Sequence, residues 1–528
     1  MRVARAAALI AALTMLSRLV GFGRVLVFAR TVGSNCVGGT YQSANTVPNI
    51  LFEIVAGGAL ASLVVPLLAG GVAAGAIDDV RRTVSALLTW VVLALTPVAV
   101  LAAAFAGPIM TGLLGGGTCA GAPALGTRML LVFAPQIVLY GVGIVLTGVL
   151  QAHERFAGPA MTPLLSSLVV IAAYLAYRVQ TGGTDPGVAG LTRAEELTLS
   201  VGTTAGVVML SLSLLVPLRR LGLRLRPTLR FPAGVAGRAR RLAGAGVAAL
   251  AAQQVSVAAA VTLANRGVPA STYVVYTFAW TVFLLPWAVL AVPLATTAFP
   301  RLAMLADQGD QDGYRATAAG ATRGVVVVTL VAGAALVAAA QPVARVLVQG
   351  VGARADVVAL AAGIVAFAPG LVGYGLVALH SRALYARGDA RTPALCQVAG
   401  WLVVVVADVA LTVALPTRDR VLALALGNTV GMVVAAALLA VALGRRVGPG
   451  AMAGTLRTGV VALAAAVAAG TAGRLVASAW DSGGAAVAAG QAGVVGAVVL
   501  VVAAAILLPT VGADIRRMVG REREVRGG

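Results

Sequence analysis

Nearly uncharged apolar stretches of about 18–25 residues recur fourteen times along this 528-residue chain, each long enough to cross the roughly 30 Å hydrocarbon core of a bilayer. Inside lipid no water satisfies a backbone N–H or C=O, so such stretches fold as helices that close their own hydrogen bonds. The first six lie near residues 6–30, 46–72, 84–106, 129–150, 157–177 and 199–218. A second six lie near 242–264, 272–300, 322–343, 357–380, 393–415 and 421–444, and a last pair near 457–477 and 487–509. A composition 60% hydrophobic and 11% charged excludes an ordinary soluble domain. The opening Met1-Arg2-Val3-Ala4-Arg5 has the outline of a signal peptide. However, the run that follows is long, is interrupted by Arg18 and Arg24, and has no clear cleavage site, so it reads as a retained span.

The formal net charge of +21 would suggest nucleic acid in a soluble chain, but here the arginines sort by loop. One alternating set of loops holds Arg2, Arg5, Arg81, Arg82, Arg155, a dense run from Arg219 to Arg241, Arg301, Arg315, Arg323, Arg382, Arg387, Arg391, Arg445, Arg446 and Arg457, and the tail 516–526. The opposite set holds fewer, among them Arg30, Arg128, Arg178 and Arg193. That asymmetry is the positive-inside pattern and places both termini in the cytoplasm. The run Arg219–Arg241 reads first as a topology-fixing linker lying on anionic headgroups, with a specific partner or lipid-phosphate site as the alternative. No nucleic-acid partner is expected.

An internal repeat divides the chain. Leu60-Ala61, then Pro66-Leu67-Leu68-Ala69, recurs as Leu294-Ala295, then Pro300-Arg301-Leu302-Ala303. Leu150, Ala152, Pro159 and Ala160 recur as Leu384, Ala386, Pro393 and Ala394 at the same offset of 234 residues. Six spans preserve direction, so the halves are parallel repeats, an arrangement in which transporters hold substrate at the repeat interface. The expected fold is an all-α polytopic membrane protein of about 14 transmembrane helices. Its parts are a six-helix lobe (1–218), a basic cytoplasmic linker (219–241), a second six-helix lobe (242–444), and a last helix pair with a cytoplasmic tail (445–528).

The costliest residues in this apolar background are Arg18 and Arg24 in span one. An arginine at mid-membrane costs roughly 2.5–3.5 kcal/mol on insertion scales, so it faces a wet cavity or a partner. Ser17, Gly21, Arg24 and Phe28 form one stripe at i, i+4, i+7 and i+11, with Arg18 about 120° around from Arg24. Arginine stays charged and binds phosphate bidentately; the alternative is a structural arginine paired with Glu53 or with carbonyls. Shifted by the repeat, these positions fall on Ala252 and Ala258, so the cation is confined to the first half. The only other acid well inside a span is Asp408. With Thr412 one turn on and Asn428 in span twelve it forms a candidate site for a coupling cation or proton, or else it is a hydrogen-bonded aspartate without a transport role. His153 and His380 read as cytoplasmic interface residues. Cys36 and Cys119 fall in outside loops, where a disulfide is permitted but not required. There is no phosphate-binding loop with its lysine, no zinc signature and no nucleophile elbow, so no catalysis is expected.

Ser17-Arg18-Leu19-Val20-Gly21-Phe22-Gly23-Arg24, Val47-Pro48-Asn49, Gly58-Ala59-Leu60 and Val65-Pro66 resemble the N-terminal signature of the MurJ/MviN lipid II flippases. Phe299-Pro300-Arg301-Leu302 and Arg387-Gly388-Asp389-Ala390-Arg391-Thr392-Pro393 fit the same family. The resemblance implies two lobes around a cationic cavity, a C-terminal helix pair for the lipid tail, and export of a polyprenyl-linked peptidoglycan precursor across the bacterial plasma membrane. It marks Arg18 and Arg24 as important for activity; with Ser17, Asn49 and Glu53 they make up the candidate substrate-binding set. It also implies sodium or proton coupling near Asp408 in some members, and no other cofactor. Three charges that it leads one to expect are replaced here by Gly39, Phe52 and Thr281. The expected partners are lipid II or a related polyprenyl-diphosphate glycolipid, anionic membrane lipids and, more remotely, wall-synthesis proteins. The alternatives are an exporter of another lipid-linked saccharide, a drug/cation antiporter, and a non-transporting scaffold for wall-synthesis enzymes.

Overall fold

The structure, a computed structural model, describes residues 2–54, 61–222, 225–231, 247–348, 354–480 and 483–526. The described residues are helical or loop, without a strand. The helices are α1 (Arg2–Thr31), α2 (Cys36–Glu53), α3 (Ala61–Ala73), α4 (Ile77–Ala104), α5 (Ala106–Leu114), α6 (Ala122–Phe133) and α7 (Gln136–Ala152). They continue as α8 (Ala157–Gln180), α9 (Gly187–Gly190), α10 (Arg193–Leu212), α11 (Leu215–Arg219), α12 (Val247–Asn265) and α13 (Ser271–Pro286). The rest are α14 (Val292–Asp307), α15 (Gln311–Val348), α16 (Arg354–Phe367), α17 (Gly370–Ala386), α18 (Arg391–Ala414), α19 (Arg420–Val447), α20 (Thr455–Ser478) and α21 (Ala485–Arg526).

Among the described residues twelve helices are long and apolar enough to span a membrane, and thirteen if the bent pair α16–α17 counts as one span. The bend, 42°, falls at Pro369, whose missing N–H breaks the ladder. The fourteenth expected window, 46–72, is divided between α2 and α3, with 55–60 outside the described residues. Proline shapes a second span as well: after Pro286 the backbone opens into one π-helical stretch, Trp287–Ala291, before α14 resumes. The chain is a multi-pass membrane protein.

It packs as two compact units, Met1–Val274 and Val275–Gly528. In the first, α4 lays Val80, Val84, Leu87, Val91 and Leu95 at helical spacing against Ile137, Val145, Leu146 and Val149 of α7. Close approach rests on small residues, as it does between helices in lipid. A Cβ at Gly141 would lie 2.3 Å from Leu95, and one at Gly206 of α10 would lie 2.4 Å from Val170 of α8. In the second unit Gly400 and Gly431 play that part between α18 and α19. There α15 carries an alanine-rich face that buries Ala334 and Ala338 against Ala465 and Ala469 of α20 and Val495 and Val499 of α21. Large apolar side chains such as Leu93, Leu101, Val201 and Val413 point outward, as lipid-facing residues do.

Several loop arginines of the minority set are compensated. Arg128 donates to Glu196 at 2.9 Å, Arg193 pairs with the same buried carboxylate, and Arg178 donates to the Arg30 carbonyl at 2.9 Å. One expectation is corrected: His380 is no interface residue but fully buried, with Nε2 3.2 Å from the Thr322 hydroxyl. The Thr322 proton is given to Ala318 O, so the ring N–H donates to Thr322.

Cys36 and Cys119 are joined in a disulfide, their Cα atoms 5.8 Å apart. The bond ties the first turn of α2 to the loop after α5. Gly116 O accepts from Gly267 N, and Thr118 N donates to Val268 O, so the 265–268 loop is fastened to the same place. Replacing both cysteines by serine is expected to lower the melting temperature by several degrees, about 2–4 kcal/mol of stability. A reductant should reproduce the loss in the wild type and leave the double variant unmoved, as read by thermal unfolding of the purified protein.

Candidate functional site

The first unit contains a cavity of about 700 Å³. On α1 its wall is Thr14, Ser17, Arg18, Gly21 and Arg24, spaced so that they share one face of the helix. Gly21 leaves open space where a side chain would project. Arg18 and Arg24, expected about 120° apart, both reach the cavity, because a guanidinium on a flexible stem covers a broad arc. Among the described residues neither has a carboxylate within ion-pair distance.

On α2 the wall is Asn45, Asn49 and Phe52, at i, i+4 and i+7. Asn49 is held from both sides: its Oδ1 accepts from the Tyr140 hydroxyl at 3.0 Å and its Nδ2 donates to Asn45 O at 2.8 Å. The Oδ1 of Asn45 is buried without a hydrogen-bond donor among the described residues. Helix α7 adds Tyr140, Thr147 and Gln151; α8 adds Pro159, Ser166 and Ser167; α10 adds Thr203 and Val207. The described lining is thus two guanidiniums amid neutral amides, hydroxyls and apolar side chains.

The cavity uses the middle of α1, mainly the N-terminal half of α8, and mainly the C-terminal halves of α2, α7 and α10, next to the 153–156 loop. At the opposite end it is shut. Phe28, Tyr41, Phe133 and Tyr174 are all buried and pack ring against ring, with centroids 5.3–6.0 Å apart. The Tyr41 hydroxyl lies 2.8 Å from that of Tyr174 and 2.7 Å from that of Thr203. Phe28, expected on the arginine stripe, belongs to this plug. The α1–α2 turn is fixed just beyond it: Gly33, at φ +82°, donates to Phe28 O, and Asn35 caps α2 by accepting from Gly38 N at 2.8 Å.

Of the candidate substrate residues, Ser17, Arg18, Arg24 and Asn49 come together in this cavity. Glu53 is exposed and does not line it. Tyr140, Gln151 and Thr203 are not singled out by the sequence; none carries a charge, and only packing shows that two helices, α7 and α10, aim them at one place. The missing charges have local explanations. Gly39 lies in α2, where an added Cβ would fall 2.1 Å from the Ala270 carbonyl oxygen, so no side chain fits. Phe52 rests its ring on Tyr140, centroids 4.4 Å apart. Thr281 is satisfied inside its own helix, donating to Thr277 O at 2.8 Å.

The second unit holds Asp408 on α18, 1% exposed, with neither carboxylate oxygen hydrogen-bonded among the described residues. It faces α19 so closely that a Cβ at Gly427 would lie 2.0 Å from its Oδ1. The adjacent Asn428 is also buried, with an unbonded Oδ1. Thr412 gives its proton to the Asp408 backbone carbonyl at 2.7 Å, which leaves its oxygen lone pairs free to accept. A carboxylate buried without a donor is costly to keep charged unless a proton or a cation offsets it.

The sequence model of the family described as "Lipid II flippase MurJ" matches residues 28–488. The "Lipid II flippase MurJ" of Burkholderia cenocepacia is 30% identical over 180 residues, which cover 33% of this chain and 34% of that one. The "Probable lipid II flippase MurJ" of a Synechocystis species is 30% identical over 234 residues, 43% of each chain. The aligned stretches therefore span less than half the length of these relatives. In fold, the chain is similar to a solved "Lipid II flippase MurJ, inward closed conformation", with a TM-score of 0.75 at 16% identity over 94% of this chain and 98% of that one. It is also similar to an inward-facing multidrug-resistance MATE family transporter of the MOP superfamily, with a TM-score of 0.65 at 13% identity over 83% and 94%.

The contact at Gly39 is directly testable. Gly39→Asp, which places there the acid that the family resemblance leads one to expect, should destabilise the fold by about 1–3 kcal/mol or more through overpacking. Gly39→Ala should already lower the melting temperature of purified protein, and an Asp variant as stable as wild type would overturn this account.

Proposed function

The chain belongs to the lipid II flippase MurJ family, and we propose that it moves lipid II, or a closely related polyprenyl-diphosphate glycolipid, from the inner to the outer leaflet for wall synthesis. The observation that carries this reading is the pair Arg18 and Arg24, two cations without a carboxylate partner among the described residues, in a cavity whose other described wall residues are neutral, amides and hydroxyls alternating with apolar side chains. A diphosphate supplies the anion that repays their desolvation, and guanidinium forks bind its oxygens bidentately. Amides and hydroxyls such as Asn45, Asn49, Gln151 and Ser167 suit the hydroxyls and amides of a sugar-peptide headgroup. A cationic drug would be repelled by the same wall.

The arginine distribution supports an orientation with both termini in the cytoplasm. The 153–156 end is then the loading side, and the aromatic plug with the disulfide faces outward. Transport works by alternating access, without a covalent intermediate: the arginines hold the headgroup while the polyprenyl tail stays in lipid. A cation or proton held by Asp408, with Asn428 and Thr412 as neutral oxygen donors, would supply the coupling charge. The residues present fit such a group, since an anionic buried carboxylate without donors otherwise carries a large desolvation penalty.

Reconstitution with labelled lipid II and an outer-leaflet accessibility assay tests the reading. Arg24→Ala should lose about 1.5–3 kcal/mol of headgroup binding, roughly 10- to 150-fold, with Arg24→Lys restoring only part because it lacks the planar fork. Equal transport by wild type and Arg24→Ala, or none by either, would sink the cargo assignment. Asp408→Asn should abolish any sodium or pH dependence of the rate while leaving lipid II binding intact. If the ion dependence persists in that variant, coupling lies elsewhere.

A further inference from the structure

After α11 the chain does not run free from the first unit. Residues 225–231, without regular secondary structure, run beside α4, fastened at three points: Arg226 N donates to Ser85 Oγ at 3.2 Å, Thr228 N to Thr89 Oγ1 at 3.1 Å, and Trp90 Nε1 to Leu229 O at 3.1 Å. Ser85 and Thr89 are one turn apart on α4, with Trp90 beside them, so the helix offers a short ladder of side-chain partners to a passing backbone. Leu221, Leu225 and Phe231 pack inward against the α4–α7 core. Arg226, Leu229 and Arg230 are left outward, next to a half-exposed Trp90. The result is an amphipathic strap, apolar inside and cationic outside.

Its level along α4 follows from the sequence. Asp78, Asp79, Arg81 and Arg82 hold the first turns of α4 in water, and the uninterrupted apolar run begins around Leu87 and Trp90. The strap therefore sits where that helix enters the hydrocarbon, the depth at which tryptophan and arginine favour the headgroup layer. From Arg219 to Arg241 the sequence contains eight arginines and no acid. Arg219, Arg220, Arg226 and Arg230 are exposed, while Arg224, Arg238, Arg240 and Arg241 lie outside the described residues. Asp78, the first acid on the neighbouring helix, is engaged with Arg81 at 3.0 Å.

We propose that this strap is a built surface for anionic lipid headgroups, with Arg226 and Arg230 as the phosphate-facing cations and Trp90 and Leu229 seated at the hydrocarbon boundary. The inference is independent of the cargo assignment; it needs only that α4 spans the membrane. Charge complementarity selects the partner, since juxtamembrane arginines gain roughly fivefold each in partition toward an anionic surface.

The design of the strap makes the test clean. The hydrogen bonds that fasten it use the backbone N–H of Arg226 and the backbone carbonyl of Leu229, so the arginine side chains are removable without unfastening it. Short-chain phosphatidylglycerol is titrated into the detergent-solubilised full-length protein, with phosphatidylcholine of the same chain length as control, and the rise in melting temperature is followed. Wild type should be stabilised at lower concentrations of phosphatidylglycerol than of phosphatidylcholine, and the preference should shrink with added salt. Arg226→Ala/Arg230→Ala should keep the lipid-free melting temperature and weaken the phosphatidylglycerol response about 25-fold, at fivefold per arginine. Ser85→Ala/Thr89→Ala, which keeps the charges but removes two fastenings, should also weaken it. No preference for the anionic lipid in wild type, or a full response in the arginine variant, overturns the proposal; the second outcome would leave the cluster to a protein partner or to topology alone.

Discussion

A guanidinium cannot be neutralised by giving up its proton at any accessible pH, so an arginine placed in an apolar helix must be given water, an anion or a dipole. Arg18 and Arg24 impose that requirement on the whole first unit. Five helices, α1, α2, α7, α8 and α10, each give part of their length to walling the cavity, although a fully apolar interior would pack with less difficulty. The neutral lining follows from the same constraint. A carboxylate would cancel the arginines and leave nothing to attract an anion, whereas amides and hydroxyls hydrate the site without neutralising it.

A half-cavity in a helical bundle is stable only if the remaining half is closed firmly. Here closure is layered: the ring cluster of Phe28, Tyr41, Phe133 and Tyr174, the hydroxyl bonds from Tyr41 to Tyr174 and Thr203, and the Cys36–Cys119 bond beyond them. Thr203 belongs to both parts, lining the cavity and bonding the plug. The wet end can therefore change its contents while the dry end keeps the helices in register. Gly39 shows how tight the dry end is, since the backbone of Ala270 occupies the space of a side chain.

Hydropathy made most of the fold legible, because in lipid an apolar run of about 20 residues has essentially one solution. It was least informative where the local chain departs from a straight helix: the 46–72 window divided between α2 and α3, and the 357–380 window bent at Pro369. The arginines of the site were legible as well, since charge in an apolar run is conspicuous. Tyr140, Gln151 and Thr203 were not, because a single hydroxyl or amide costs too little in a helix to stand out and its direction depends on packing. His380 failed for a related reason. Position near a span end suggested an interface, yet its burial is decided by α15, whose Thr322 supplies the partner.

The same logic separates the two units chemically. Among the described residues the first contains two cations without a carboxylate partner and no acid on the cavity wall, and the second a buried acid, Asp408, whose oxygens find no donor. The two problems have opposite cures, an anion for one and a cation or proton for the other. Neither can be cured by the other's solution without losing a site. A chain that needed only stability would have replaced Arg18, Arg24 and Asp408 with apolar residues, since exchanging buried charge for well-packed side chains is often neutral or stabilising. At Gly39, Phe52 and Thr281 the local surroundings, a backbone carbonyl, a tyrosine ring and a hydrogen-bonded hydroxyl, are uncharged. Arg18 and Arg24 on the cavity wall and the buried Asp408 are charges whose electrostatic cost has been kept, and they coincide with the two proposed binding sites.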